Sequence, residues 1–306
     1  MTIQYSPAGL PANIKALDKS PMLITFNVTM DIQNLDFDFE INGLTDTQVA
    51  TWGFRRGAKG THSSRTIMLE ELTLLFDAVP GNSGRAEYAV AVIKDNCLGK
   101  RTAANRKHSL QRLIELYALD SRVILFRILK DLWRSHDSSR PLIALLLALA
   151  RDPLLRSTAS AVINTPYNHE FARQSMLDAV SATVGDRIGV ATLDKIVRNA
   201  SSSWTQSGHL RGRGRKIRQP VETTSVTTAY ALLIGFALGR RGRRLLESPW
   251  VTVLDTESNG LLESASAAKS RGLLELKQAG SIIEVSFAAF FAKLTQQEQK
   301  VILESY

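Results

Sequence analysis

Arg140-Pro-Leu-Ile-Ala-Leu-Leu-Leu-Ala-Leu-Ala-Arg151 decides the fold. Pro141 suits the first turn of a helix, where its missing N–H would have no partner in any case. The nine residues 142–150 that follow are apolar around the whole circumference of such a helix, so other elements have to enclose it, as at the centre of a bundle. This run, like the apolar run 229–238, falls well short of the roughly 20 residues needed to cross a bilayer, and both read as core helices. Arg151-Asp-Pro153 breaks the helix, and a shorter one follows to about Ile163.

Upstream the apolar spacing stays helical from Ser63 onward. Ser63 or Ser64 can cap a helix with Ile67, Met68, Leu72, Leu75 and Phe76 inward, ending near Pro80-Gly81. Asn82 or Ser83 opens the next, Thr102 a third with Leu110, Leu113, Ile114 and Tyr117 as its stripe, and Ser121 a fourth with Leu125, Phe126, Leu129, Leu132 and Trp133. Residues 63–163 therefore read as one all-helical domain. Before it, Leu35-Asp-Phe-Asp-Phe-Glu-Ile41 alternates strictly and predicts a half-buried strand. Residues 1–21 have little periodicity and read as an extension.

Downstream of Asn164-Thr-Pro166 the texture changes. A helix over about 170–184, a Gly185-Asp-Arg-Ile-Gly189 turn and a helix from about Ala191 to Trp204 lead into a hairpin-like segment, which is the outline of a winged helix-turn-helix. The outline recurs in helices over 227–238 and 259–270, followed by two strands flanking Ala279-Gly280. A last helix is predicted over 288–305, with Phe290, Phe291, Leu294, Val301 and Ile302 inward.

The hairpin-like segment is Ser207-Gly-His-Leu-Arg-Gly-Arg-Gly-Arg-Lys-Ile-Arg218, five cations and no acid in twelve residues. Alternating arginine and glycine resists burial, so the segment is expected on the surface. A guanidinium matches phosphate oxygens two at a time, which points to a polyanion and first to nucleic acid; a solvated loop without a partner is the alternative. Gly239-Arg-Arg-Gly-Arg-Arg244 adds four more cations after the 227–238 helix, where the helix C-terminus alone would favour some of them. Lys100, Arg101, Arg106 and Lys107 form a further basic group. The whole chain of 306 residues carries +9, yet residues 1–50 hold two lysines against six acids, so the remainder carries +13. Such a body favours acidic partners.

Other chemistries find little support. Cys97 is the only cysteine, which excludes an internal disulfide and cysteine-rich zinc modules and fits a reducing compartment; it reads as a buried small hydrophobe. The histidines 62, 108, 136, 169 and 209 lack ligand spacing, so no metal is expected. No cofactor is expected either, because the glycines and cations of 53–65 do not form a phosphate-binding loop. No GxSxG or HExxH occurs, and the Ser, His and Asp residues are too scattered to propose a triad from spacing. An enzyme would rest on the Asp36, Asp38 and Glu40 face alone, which also reads as the solvated side of an edge strand. No secretory signal is apparent, and the reading is a cytoplasmic bacterial or phage-related protein.

One set of segments resembles a known family: Ile93-Lys-Asp-Asn-Cys-Leu-Gly-Lys-Arg-Thr-Ala-Ala-Asn-Arg106, Leu113-Ile-Glu-Leu-Tyr-Ala-Leu-Asp120, Leu132-Trp133, and residues 145–155 with Arg151-Asp-Pro-Leu-Leu155. Together with Ser207-Gly-His-Leu210 and Tyr230-Ala-Leu-Leu233, they look like the BrxA-type small proteins of bacterial phage-exclusion (BREX) defence systems. The resemblance covers about 63–290 and implies a helical, NusB-like bundle joined to winged helical modules. It also implies DNA binding, no catalytic centre, and action beside larger enzymes of the system. The acidic segment before residue 50 departs from that pattern.

The expectation is thus a mainly α fold. It comprises an extension over 1–50, a bundle over 51–165, a module with a basic wing over 166–222, and a second module with the last helix over 223–306. Double-stranded DNA would be held by Arg211, Arg213, Arg215, Lys216 and Arg218, with Arg240, Arg241, Arg243, Arg244, Lys100, Arg101, Arg106 and Lys107 as further contacts. Other defence-system proteins would be partners, and no membrane would be involved. RNA, or an acidic protein in an assembly, are the alternative partners. The DNA reading requires these cations to be exposed, free of carboxylates and on one continuous surface.

Overall fold

The protein is described by a computed structural model that covers Phe39 and residues 41–134, 137–280 and 282–303. The Arg140–Arg151 segment is a helix with every residue from Leu142 to Arg151 buried, as its unbroken apolar run requires. Arg151, at its end, lies under the C-terminus of the Ala103–Tyr117 helix. Its guanidinium donates to the carbonyls of Glu115 at 3.1 Å, Ile114 at 3.3 Å and Gly53 at 2.5 Å. Glu115 and Ile114 lie in the last turn of that helix, where the Ile114 carbonyl also accepts the Ala118 N–H at 2.9 Å, and a cation suits a helix C-terminus. Burial pushes the Arg151 guanidinium down to about 10, and it stays charged at neutral pH.

In chain order the first half holds α1 (Asp46–Trp52), α2 (Leu69–Ala78), α3 (Arg85–Ile93), α4 (Ala103–Tyr117), α5 (Ile124–Trp133), α6 (Arg140–Arg151), α7 (Pro153–Arg156) and α8 (Ala159–Ile163). Thr102 caps α4 by accepting the Asn105 N–H, and Asp152 caps α7 by accepting from Leu154 and Leu155. Phe76, Trp133, Phe126 and Tyr88 interlock across α2, α5 and α3, with Phe76 and Trp133 edge to face at 5.3 Å. The second half adds α9 (Arg173–Val184), α10 (Val190–Gln206), β1 (Leu210–Arg211), β2 (Ile217–Arg218), α11 (Ser225–Ala237), α12 (Gly242–Leu246), α13 (Pro249–Thr252) and α14 (Ser258–Ser270). It ends in β3 (Glu275–Ala279), β4 (Ile282–Ser286), α15 (Ala288–Phe291) and α16 (Gln296–Leu303). The chain is mainly helical, and the four strands among the described residues form two antiparallel hairpins, β1 with β2 and β3 with β4.

One apolar cluster runs from Phe39 to Ile302 and crosses the expected borders at 165 and 222. The described residues, from Phe39 to Leu303, belong to one compact unit. The two ends of that unit meet: Phe39 packs edge to face on Trp250 at 4.7 Å, and Trp52 on Phe291 at 6.4 Å. From α11 every residue between Val226 and Ala237 is buried, so it is a second enclosed helix beside α6.

Four local expectations are corrected. Ser63 and Ser64 do not cap α2; they close a short 3-10 turn, and α2 begins after Met68, whose φ is 53°. Ile67 stays outside the helix, with its N–H donated to Ser203 Oγ at 2.9 Å and its carbonyl accepting from the Tyr117 hydroxyl. The second helix starts after Gly84 rather than at Asn82 or Ser83, because the Glu87 carboxylate accepts the Gly84 N–H at 2.9 Å. The last helix is two, α15 and α16. Cys97 is half-buried against the core rather than enclosed. Of the strand expected over 35–41 only Phe39 and Ile41 are described; both are buried, and Ile41 opens a 3-10 turn. Asp36, Asp38 and Glu40 lie outside the described residues, as does Ser305 at the expected helix end.

Candidate nucleic-acid interface

The basic segment is a hairpin, with Leu210 opposite Arg218 and Arg211 opposite Ile217. Its reversal depends on Gly212, at φ 110°, where a Cβ would stand 2.1 Å from the Arg215 carbonyl oxygen. Residues 168–171 run along the outer side of β2. Asn168 and Phe171 donate their N–H groups to the carbonyls of Arg218 at 2.9 Å and Lys216 at 2.8 Å, and Arg218 returns its own to His169 at 3.0 Å. β2 is therefore bonded along both of its edges, by β1 and by 168–171, while 211–215 are all exposed.

Arg218 does not face solvent, contrary to the expectation for a phosphate contact. Its side chain is 0% exposed and forms a two-point ion pair with Asp255, Nη1 to Oδ2 at 2.8 Å, with Nη2 to Oδ1 as the second bond. Nε donates to the Val162 carbonyl at 3.0 Å. A buried guanidinium needs such a complement, since an unpaired one would cost several kcal/mol. Next to it His209 is enclosed edge-on against Trp204. Its Nε2 lies 2.8 Å from the Val253 carbonyl, which can only accept, so Nε2 carries the proton and Nδ1 accepts from the Ser207 hydroxyl at 2.8 Å. Burial pushes the imidazole down to about 4 against the pull of Asp255, so it is neutral near pH 7.

The other expected contacts divide by partner. Lys216 is half-buried and donates to Thr205 Oγ1 at 2.9 Å and to the Gly212 carbonyl, so it braces the turn. Arg215 is exposed but paired with Glu170 at 2.6 Å. Arg243 is paired with Glu247 at 2.6 Å, and Lys100 with Glu71 at 3.0 Å. Arg241 lies over the Phe236 ring at 3.5 Å and donates to the Phe236 carbonyl. Arg106 donates to the Ile93 carbonyl at 2.9 Å, and Arg240 is half-buried after α11. Arg211, Arg213, Arg244, Arg101 and Lys107 are exposed, and their side chains make no hydrogen bond or ion pair with another described residue. Lys216, Arg241 and Arg106 thus each have a side-chain donor bonded within the protein, and for Arg218 the expected exposed phosphate contact is corrected by its burial.

Nor do the two arginine clusters adjoin. The base of the wing joins the N-terminal end of α11 through Arg218 with Asp255 and through the Thr223 hydroxyl bonded to the Leu254 carbonyl. Arg240 and Arg244 follow its C-terminal end. A 13-residue helix is about 20 Å long, and that length lies between the base of the wing and the second cluster.

A constellation not visible in the sequence lies inside the core. His62 Nδ1 is 2.8 Å from Asp152 Oδ2, and Nε2 is 2.7 Å from Ser203 Oγ. This is the order of a hydrolytic triad, but His62 and Ser203 are 0% exposed and Asp152 1%. Ser203 Oγ already accepts from the Ile67 N–H and lies 2.9 Å from the Asn199 carbonyl. The three residues bind the 61–67 segment to α7 and α10, and no substrate reaches them. Burial alone would raise the Asp152 carboxyl, but the His62 ring and backbone N–H groups outweigh it and hold it below the ordinary range.

No family model, no curated protein and no solved structure matches this chain. Among the described residues there is no group of three or more His, Cys, Asp or Glu side chains placed to hold a metal ion. No helix among them is long and apolar enough to cross a membrane.

Sequence reasoning missed the acidic partners within the basic surface. Glu170 pairs with Arg215, while Asp194 pairs with Arg173 and, at 3.1 Å, with Arg198. Only the spacing of Asp194 and Arg198, four residues apart on one helix, carried a signal.

Proposed function

We propose that the chain is a non-enzymatic DNA-binding protein of the bacterial cytoplasm, working beside larger enzymes of an anti-phage defence system. In this reading its helices form a NusB-like bundle joined to winged-helix modules, as the BrxA-like motifs suggest. With Arg218 buried and Arg215, Arg243 and Lys100 on carboxylates, the expected cations do not make up one continuous free surface, so the proposal is narrowed to the wing, and the observation that carries it is the division of labour there. Arg211, Arg213 and Arg215 are presented at an exposed tip, while Lys216 and Arg218 are spent on fixing its base. A tip held in place before contact loses less conformational freedom on binding, so its cations are used more effectively. Arg215 exchanges Glu170 for phosphate at little cost, because surface ion pairs are weak. These contacts hold the sugar-phosphate chain and carry no base information.

The test is a fluorescence-anisotropy titration of a labelled duplex at about 50 and 200 mM salt. Three neutralised phosphates give a slope of log K against log[salt] near −3, or a roughly 40-fold loss of affinity over that range. A flat response overturns the proposal. Preferential displacement by structured RNA would assign the wing to RNA instead.

A further inference from the structure

The long helix α10 buries one side and leaves the other open. Ile196, Val197, Ala200, Ser203 and Trp204 are enclosed, whereas Ala191, Lys195 and Arg198 are exposed and Ser202 is half-buried. Spacings of four, three and four residues put these last four on one stripe of the helix. We infer that this stripe lies in the major groove of a DNA duplex and reads base edges through Lys195 and Arg198, which gives the chain a sequence preference that phosphate contacts alone cannot supply. The inference rests on the reading of the wing as a duplex-binding surface.

Continuity with the wing carries it. Near the C-terminal end of α10, Lys216 of the wing donates to Thr205 Oγ1 at 2.9 Å. Farther along, a ladder of surface ion pairs crosses from the wing tip to the middle of the helix. Arg215 pairs with Glu170 at 2.6 Å; three residues on, Arg173, the first of α9, pairs with Asp194 of α10, which also takes Arg198 Nε at 3.1 Å. The wing tip and the open stripe are therefore parts of one surface. Together with Arg211, Arg213 and Lys195, the ladder sets six cations against its two carboxylates. Such an excess suits a groove lined on both sides by phosphate.

The side chains of the stripe suit the floor of that groove. A major groove about 12 Å wide admits a helix, and the small Ala191 and Ser202, at the two ends of the stripe, let its backbone come close. The Lys195 side chain makes no hydrogen bond or ion pair with a described residue, and the two Nη groups of Arg198 make no hydrogen bond with one. Both cations can therefore donate to O6 and N7 of guanine. Val190, 84% exposed and the most exposed large apolar side chain among the described residues, stands beside Ala191, where a thymine methyl would cover it. The stripe from Ala191 to Ser202 is about 16 Å long, or about five base pairs. The deep, narrow major groove of double-stranded RNA does not admit side chains in this way, so the stripe fits DNA.

The experiment is selection by the full chain from a duplex library with a randomised centre, followed by anisotropy titration of the enriched duplex and of a shuffled duplex of the same composition. A short motif containing guanine is expected, bound on the order of 100-fold more tightly than the shuffled duplex. Lys195→Ala and Arg198→Ala, both at exposed positions, should keep the melting temperature and each reduce that ratio by about tenfold. Arg213→Ala at the wing tip should weaken both duplexes alike and leave the ratio unchanged. Salt-dependent binding without enrichment, or a ratio that neither Lys195→Ala nor Arg198→Ala moves, overturns the inference and leaves the wing reading standing. Absence of salt-dependent duplex binding overturns both.

Discussion

Arg218 and Asp255 form a buried ion pair at the root of the wing, with side chains 0% and 2% exposed. The pair ties β2 to the segment after α13, and through the Val221 N–H, 3.3 Å from Asp255 Oδ2, to the chain entering α11. An arginine that reads in sequence as a phosphate ligand is therefore part of the framework.

Removing one partner leaves the other charged and enclosed. Arg218→Ala or Asp255→Ala should each lower unfolding free energy by about 3–5 kcal/mol, read by urea denaturation. The double change Arg218→Met with Asp255→Leu should cost less than either single change, because it removes the uncompensated charge along with the pair. Equal costs for single and double variants would contradict this account.

His209 makes stability depend on acid. The unfolded chain takes a proton on this ring near pH 6.5, whereas the folded chain resists until about pH 4. Between these values the unfolded state binds the extra proton, so stability is full above pH 6.5 and falls as pH drops, by about 3 kcal/mol in all. Denaturant midpoints from pH 7 to 4 measure the slope, and His209→Gln should flatten it. An unchanged slope in that variant would assign the loss to other groups.

How far the chain could be read from its letters follows the range of the interactions involved. The cap at Thr102, the proline in the first turn of α6, the enclosure of 142–150 and the hairpin around Ala279 and Gly280 all follow from neighbours a few residues apart. The start of α2 does not: Ser203 and Tyr117, which bond the backbone of Ile67 just before it, lie 136 and 50 residues away. The wing was legible as an exposed Arg-Gly turn for the same local reason. The burial of Arg218 was not, because its carboxylate stands 37 residues downstream. Charge runs reveal where cations sit in the chain, while tertiary contacts decide which remain available.

Within the wing, Arg213 and Lys216 should act differently on binding. The Arg213 side chain makes no hydrogen bond or ion pair with a described residue, so Arg213→Ala should lower the salt slope by about 0.9 along with affinity. Lys216 holds the turn through Thr205 and Gly212, so Lys216→Met should weaken binding while leaving the slope near its original value. Anisotropy titrations of both variants at several salt concentrations separate the roles. An identical slope change in the two would mean that Lys216 contacts phosphate directly.

The His62, Asp152 and Ser203 cluster should prove to be a structural lock. Gly60 stands so close to it that a Cβ would fall 1.9 Å from Asp152 Oδ1. That carboxylate cannot give way, because it is bonded to the His62 ring at 2.8 Å and to the N–H groups of His62, Leu154 and Leu155. Gly60→Ala should therefore destabilise by about 3 kcal/mol, well beyond an ordinary loop substitution. Ser203→Ala should cost about 1–3 kcal/mol, since it strands the Ile67 N–H and one nitrogen of His62 in the core. Cysteine at 203 should also destabilise, because sulfur is a poor acceptor for the Ile67 N–H. Thermal unfolding of the three variants measures these costs. Labelling by a fluorophosphonate probe should be nil for the native chain, and labelling at Ser203 would show that the cluster opens to solvent and acts on substrate.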